Sequence, residues 1–321
     1  MELRVRDVPE MYTEMMILMK MRGKLEPSRN GNVLSLQEPL TVTVDNPRYR
    51  INVDPIRRCN PFFHVMEFVW MMSASNTPEW ISTFNKRFVE YADEDSGLIH
   101  GAYGNRWRSH FDIDQICTVV GMLKQDPTSR RAVLGMWDAQ ADLGVLRNDL
   151  PCNTHIYLRI LDGKLEMSVC NRSNDVVWGM TGANAVHMTL LQELMANAIG
   201  VEVGKYRVFT NNAHVYVDLP DVAKMLDTTT VHHPTLPVGA THPYIPMPLL
   251  SGKETVGEFL QSCENFVSGT TITDNLWVNT VARPMYDLWF DRPDGKAPKG
   301  YITRNICDRG WASACRHWLR R

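Results

Sequence analysis

Two rhythms of apolar and polar positions run along the chain. Residues 7–23 repeat apolar positions at helical spacing and stop at Gly23, which predicts a helix. "PFFHVMEFVWMMSAS" (61–75) is apolar nearly all round, the pattern of a buried helix. The one acid inside it, Glu67, stands out, because a buried carboxylate is costly unless it is neutral or partnered. Residues 113–125 carry the helical period until "DPTSRR" breaks it, and "AVLGMW" then reads as a strand. A period of two follows. Thr154, Ile156, Leu158 and Ile160 alternate with their neighbours, as do Leu165, Met167 and Val169, and Asp162-Gly163 between the runs is a hairpin signal. Residues 183–199 read as an amphipathic helix stopped at Gly200, and "KYRVFTNNAHVYV" as one further strand. Nearer the start, "PSRNGNVLSLQEPLTVTV" reads as a loop followed by strand material. Strands and helices mix without a βαβ rhythm, which predicts an α+β fold with a mixed β-sheet and packed helices. The proline-rich stretch 228–252 reads as irregular, with elements near 253–268 and 303–320 after it. The expected division is a core over 1–227 and a C-terminal extension, 228–321, packed on the same body.

Composition narrows the function classes. The chain has 321 residues, 44% hydrophobic, ample for one large domain or two small ones. A net charge of −2 offers no basic excess for a nucleic-acid surface. Its seven cysteines are odd in number and irregular in spacing, with no CxxC pair, so a reduced, cytoplasmic protein without a structural metal is expected. The opening "MELRVRDVPEMYTEMMILMK" is a charged amphipathic segment rather than a secretory leader. No apolar run approaches the roughly 20 residues of a membrane span.

Candidate chemistry gathers in "DLPCNTHIYLRILDGKLEMSVCNRSNDVVWG" (149–179). A lone cysteine is commonly a small buried hydrophobe. Here the hairpin carries Arg172 and Ser173 back towards Cys152, and a guanidinium beside a thiol favours the reactive thiolate. Arg29, Arg130, Arg131 and Arg172 suit a dianionic phosphate, since guanidinium forks match phosphate oxygens in pairs. Each alone also fits a solvated surface charge. Neither GxGxxG nor GxxxxGK[ST] competes for that role. His214 and Tyr216 share one strand face, suited to a sugar hydroxyl or simply to a half-buried polar face.

Taken in order, "HVMEFVWMM", "GAYGNRWR", "IDQICTVVGMLKQDPTSRRAVLGMWD", "LPCNTHIY", "CNRSNDVVWG" and "NNAHVYV" resemble segments of the thymidylate synthase family, over roughly residues 20–220. The resemblance implies transfer of a one-carbon unit from 5,10-methylenetetrahydrofolate to C5 of a pyrimidine nucleoside monophosphate. A thiolate first attacks C6, which makes C5 nucleophilic. On this resemblance Cys152 is the nucleophile. Arg172 and Ser173 bind phosphate and help position the thiolate, with Arg29 as a further phosphate ligand. Arg130 and Arg131 reach the phosphate of a neighbouring subunit, which implies a homodimer with shared sites and sheets stacked face to face. Asp175 contacts the pterin and takes part in catalysis with Glu67, which organises water and proton transfer, and Tyr103. His214 and Tyr216 read the 3′-hydroxyl, and Phe88 and Trp70 line the folate cleft. Neither metal nor nucleic acid is implied.

Four departures from the family pattern set the expected product and substrate. Synthases usually have His after the nucleophile, whereas here Asn153 and Thr154 follow, as in deoxycytidylate hydroxymethylases. "RFVEYADED" places Phe88 where synthases have tryptophan. The "CRHWLRR" ending does not resemble the synthase tail that closes over the site. Closure protects an exocyclic methylene intermediate from water, so these three features favour a hydroxymethyl over a methyl product. Finally, "GMTGANAV" replaces the family's "GLPFN". With a one-residue insertion Asn184 reads the base, which favours uracil. Without it Ala183 stands there. Ser173 favours a deoxyribose, with dUMP, dCMP and CMP all open as substrates. The alternatives are a true thymidylate synthase and a catalytically idle nucleotide- or RNA-binding relative.

Overall fold

The computed structural model describes residues 1–228, 244–270, 273–292 and 303–320. In chain order its strands are β1 (Glu2–Val5), β2 (Lys24–Ser28), β3 (Gly31–Ser35), β4 (Leu40–Val44), β5 (Val133–Gly135), β6 (Asn153–Leu161), β7 (Lys164–Asn171), β8 (Asn174–Asp175), β9 (Glu202–Thr210) and β10 (Ala213–Tyr216). Six form a mixed sheet in the order β1-β4-β9-β7-β6-β5, and four form a smaller one, β2-β3-β10-β8. The fold is α+β, as the mixed patterning predicts.

Local chemistry accounts for most element boundaries. The Val8–Arg22 helix starts where the Asp7 carboxylate accepts from Glu10 N–H at 2.9 Å. The Pro61–Met72 helix starts at Asn60, whose Oδ1 accepts from Phe62 and Phe63 N–H, with Pro61 supplying a fixed φ at the first position. Asp162 and Gly163 both sit at positive φ, 49° and 72°, the backbone a two-residue hairpin between β6 and β7 requires.

Three expectations change. "KYRVFTNNAHVYV" is two strands rather than one. The chain leaves the large sheet after Thr210 and enters the small sheet at Ala213, so Asn211 and Asn212 form the crossing between sheets. The Ala183–Ile199 helix is buried on nearly every side rather than amphipathic, because it lies between β7, β9 and the Pro61–Met72 helix. A helix at Arg283–Asp291 joins those at Val256–Val267 and Arg309–Leu319. Residues 229–243 of the proline-rich stretch lie outside the described residues.

The Pro61–Met72 helix is the hub that places Glu67. The Tyr103–Arg108 helix meets it backbone to backbone. A Cβ at Gly104 would lie 1.7 Å from the Met71 carbonyl oxygen, so only glycine permits that approach. Its remaining flank is covered by late segments of the chain. Phe68 packs on Phe259 and Trp277, and Phe62 on Trp289 and Trp318, with ring centroids 5.5–6.3 Å apart.

Candidate active site

The β6–β7 hairpin brings Arg172 to Cys152. Arg172 N–H donates to the Cys152 carbonyl, its Nε to the Pro151 carbonyl and its Nη2 to the Leu150 carbonyl, each at 3.0 Å. The same Nη2 lies 3.9 Å from Cys152 Sγ. The guanidinium therefore fixes the turn that presents the thiol and also faces its sulfur. Burial pushes the thiol pKa up, the Arg172 charge opposes that, and Asp149 and Asp175 add to the rise.

A cleft of about 360 Å³ adjoins the turn that carries the thiol and shares Leu150 and Arg172 with it, although Cys152 is not itself among the residues that line it. Arg29, Arg147 and Arg172 line it together with Ser28, Ser173, Asn212, His214 and Tyr216. Three guanidinium groups and four hydroxyl side chains on one cavity, Ser35 being the fourth, suit a phosphate ester, with Glu26 the one acid in the lining and Arg147 also paired to Asp93 and Asp95. His214 Nδ1 pairs with Asn212 Oδ1 at 2.9 Å, which orients the ring, and its edge packs on Tyr216. Arg29, Arg172, Ser173, His214 and Tyr216, expected from the sequence, thus share one cavity. Arg130 and Arg131 are exposed on a turn before β5 and do not line it. Asn184 lies outside this lining as well. It opens the Ala183–Ile199 helix beside Gly179, where a Cβ would stand 3.1 Å from its Nδ2.

Glu67, Tyr103 and Asp149 form a mostly buried acidic region near the thiol. Burial, helped by the Asp149 charge, pushes Glu67 up to about 8, so its carboxyl is protonated at neutral pH. His187 Nε2 lies 3.1 Å from the His64 carbonyl oxygen and 3.5 Å from Glu67 Oε2, and burial holds His187 down at about 3. The Glu67–His187 contact is therefore one between neutral groups. Burial drives the Tyr103 hydroxyl well up, and the Cys152, Asp149 and Glu67 charges act on it too. Asp175 caps the short helix that follows β8. Its Oδ1 accepts from Val177 and Trp178 N–H at 2.7 and 3.0 Å. Arg57 is buried, donates to the Val177 carbonyl at 2.7 Å and stacks over Trp178 at 4.5 Å.

Phe88 and Trp70 pack edge to face against each other, 7% and 2% exposed. The rings left open in this region belong to Tyr91 and Trp178, 38% and 45% exposed. An open indole beside Asp175 gives a planar ring a surface to lie on, so the residues present fit a pterin. Among the described residues no group of His, Cys, Asp or Glu is placed to hold a metal ion. No described helix is long and apolar enough to cross a membrane.

Motif reading missed Arg147, Arg57, Asn212 and Asp149. Arg147 and Arg57 lie in irregular segments where no periodicity marks a direction. Asn212 was visible in "NNAHVY" beside His214, and Asp149 in "DLPC" three positions before the thiol.

Residues 10–245 match the family model described as Thymidylate synthase. A deoxyuridylate hydroxymethyltransferase of Pseudomonas phage M6 is 41% identical over 256 residues, covering 78% of this chain and 72% of the relative. A deoxyuridylate hydroxymethyltransferase of Bacillus phage SP01 is 30% identical over 220 residues, covering 65% of the chain and 57% of the relative. The chain thus spans little more than half the length of that second relative. A thymidylate synthase of Corynebacterium aurimucosum is 31% identical over 185 residues, covering 54% and 67%.

Proposed function

The chain belongs to the thymidylate synthase family, and from that premise we propose that it is a folate-dependent hydroxymethyltransferase acting at C5 of deoxyuridine monophosphate. The observation that carries the reading is Cys152 held beside Arg172 at the edge of the three-arginine cleft. Phosphate in that cleft, with the sugar against His214 and Tyr216, directs the pyrimidine ring towards the thiol. Attack of the thiolate on C6 makes C5 nucleophilic, and C5 takes the one-carbon unit from methylenetetrahydrofolate. The residues then manage protons. Neutral Glu67 donates towards the base oxygen, and Asp175, Trp178 and the exposed Tyr91 ring hold the folate side. Addition of water to the exocyclic methylene gives the hydroxymethyl product. The names of the two phage relatives support both that product and the uracil base.

The test is incubation with methylenetetrahydrofolate and C5-tritiated dUMP, dCMP or CMP. Tritium release from dUMP with a hydroxymethyl product and no dihydrofolate absorbance is expected. Dihydrofolate formation would make the protein a thymidylate synthase, and tight nucleotide binding without release would make it an idle relative.

Asn184 is proposed to read the base. An amide can donate to O4 and accept from N3–H of uracil, whereas an ionised carboxylate only accepts and suits the cytosine amino group. A buried mismatch is worth about 1–3 kcal/mol, roughly 5- to 150-fold in preference. Asn184→Asp is expected to shift the dUMP/dCMP ratio of kcat/KM towards cytosine by that factor. A shift under about twofold would remove Asn184 from the base contact.

A homodimer with shared sites completes the proposal. The outward face of the large sheet carries His155, Cys170 and Phe209 in one register row and Tyr157, Ser168 and Arg207 in the next, with Phe209 and Tyr157 39% and 48% exposed. Stacking that face on a second copy would free Arg130 and Arg131 to serve the partner's cleft. Mixed Cys152→Ala and Arg130→Ala subunits should then regain activity, since a hybrid dimer holds one intact site. An active monomer rules this out. The other proposed partners are the nucleotide and the folate, with no nucleic acid or membrane. A reducing cytoplasmic setting agrees with seven unbonded cysteines.

A further inference from the structure

A second carboxylate lies in the acidic region and has no part in the steps above. Asp149 stands three residues before Cys152, on the turn that Arg172 fixes through the Leu150 and Pro151 carbonyls. Gly101, two residues before Tyr103, is pressed against that turn. A Cβ at position 101 would lie 2.7 Å from Asp149 Oδ2, 2.9 Å from Pro151 N and 3.1 Å from the Leu150 carbonyl carbon. The glycine therefore lets the carboxylate come against the segment that leads into the Tyr103–Arg108 helix, close enough for its charge to act on Cys152, Tyr103 and Glu67. As a residue Asp149 is part-buried rather than sealed in the core.

We propose that Asp149 is the general base for the water that quenches the exocyclic methylene, and so a determinant of hydroxymethylation over methylation. The inference rests on the proposed hydroxymethyltransferase reading. In the step, the water oxygen forms a bond to the exocyclic carbon and one water proton passes to Asp149. The methylene π electrons move into the C5–C4–O4 system as an enolate. The enolate then re-forms the C5–C6 double bond and expels the Cys152 thiolate, which recovers the proton from Asp149. No oxidant or reductant is needed, in contrast to the hydride step that makes a methyl group.

Electrostatics agrees with the geometry. Burial raises Asp149 to about 6, while backbone hydrogen bonding at Gly101 and the charges of Arg172 and His100 pull it down, and Asp93 pushes it up. Glu67, Tyr91, Tyr103 and Cys152 complete the titratable groups around it, each shifted by its charge. Two carboxyls are thus driven apart, with Glu67 at about 8 a proton donor and Asp149 an acceptor at neutral pH.

The experiment is a single turnover, with the full-length enzyme in excess over C5-tritiated dUMP and methylenetetrahydrofolate, with and without 2-mercaptoethanol. For Asp149→Asn, tritium release within about fivefold of wild type is expected. Hydroxymethyl product formed per tritium released should fall at least tenfold, and a thioether adduct should appear when the thiol is present. Asp149→Glu should recover part of the product yield. Hydration in wild type should weaken as pH falls through about 6, a limb that Asp149→Asn lacks. Product per tritium unchanged in Asp149→Asn overturns the proposal. So does a loss of tritium release equal to the loss of product, which would place Asp149 before the water step or in the framework. Failure of the underlying reading looks different, because wild type itself would then yield dihydrofolate and a methyl group.

Discussion

Cys152→Ala is expected to lose C5 tritium release by on the order of 10⁴-fold or more, the scale seen when a covalent nucleophile is removed. No other group in the cleft can take its place. Serine and tyrosine hydroxyls there are far weaker nucleophiles at neutral pH, and the other described cysteines stand elsewhere, with Cys263 and Cys315 sealed in the core. Nucleotide affinity should stay within about threefold, because the removed atom is one sulfur while Arg29, Arg147 and Arg172 remain on the cleft. Isothermal titration with dUMP beside the tritium assay separates the two effects. Turnover near the wild-type rate would end the covalent mechanism.

Glu67→Gln should slow tritium release by about 10²–10⁴-fold, the usual contribution of a positioned proton donor. The isosteric amide keeps the hydrogen-bonding shape but gives no proton, so KM should move much less than kcat. The substitution also has a thermodynamic signature. With its pKa at about 8 against an ordinary 4.5, Glu67 holds a proton in the folded protein that the unfolded chain releases in between. The folded state binds more protons over that window, so wild-type stability falls as pH rises through it. Glutamine cannot titrate. The stability of Glu67→Gln relative to wild type should therefore climb between pH 4.5 and 8 and then level off. Urea denaturation across that range measures it, and a constant difference would mean that the carboxyl ionises freely in the fold.

Legibility in the sequence followed locality. The helices at Val8–Arg22, Pro61–Met72, Gln115–Gln125 and Ala183–Ile199 and the β6–β7 hairpin could be read because their periods, caps and turn residues act within a few positions. Arg29, Arg172, Ser173, His214 and Tyr216 converge as expected because they sit at the exit of that hairpin and on the nearby small sheet, whereas Arg130 and Arg131 stand on a turn away from the cleft. The sheet change at Asn211–Asn212 could not be read. Nothing in an unbroken run of strand-forming residues states which neighbour each half pairs with, and that choice is tertiary. The all-round burial of Ala183–Ile199 depends equally on what packs over its polar positions, such as Gln192, which donates to the Leu165 carbonyl at 2.8 Å. Asp149 stands in plain view before the thiol, but an acid before Leu-Pro is ordinary loop chemistry and does not stand out by itself. Its significance arises from Gly101 and Glu67, 48 and 82 positions away.

The aromatic covering of the Pro61–Met72 helix bears on how the molecule is made. The helix carrying Glu67 is complete at residue 72, yet Phe259, Trp277, Trp289 and Trp318 that seal its flank come off the ribosome some 190 residues or more after Glu67. At about 5–20 residues per second, its apolar flank waits on the order of ten seconds or longer for cover. During synthesis that strip is a surface for chaperones or for other nascent chains. The helix that carries Glu67 is held on that flank only when those late aromatics have docked on Phe62 and Phe68.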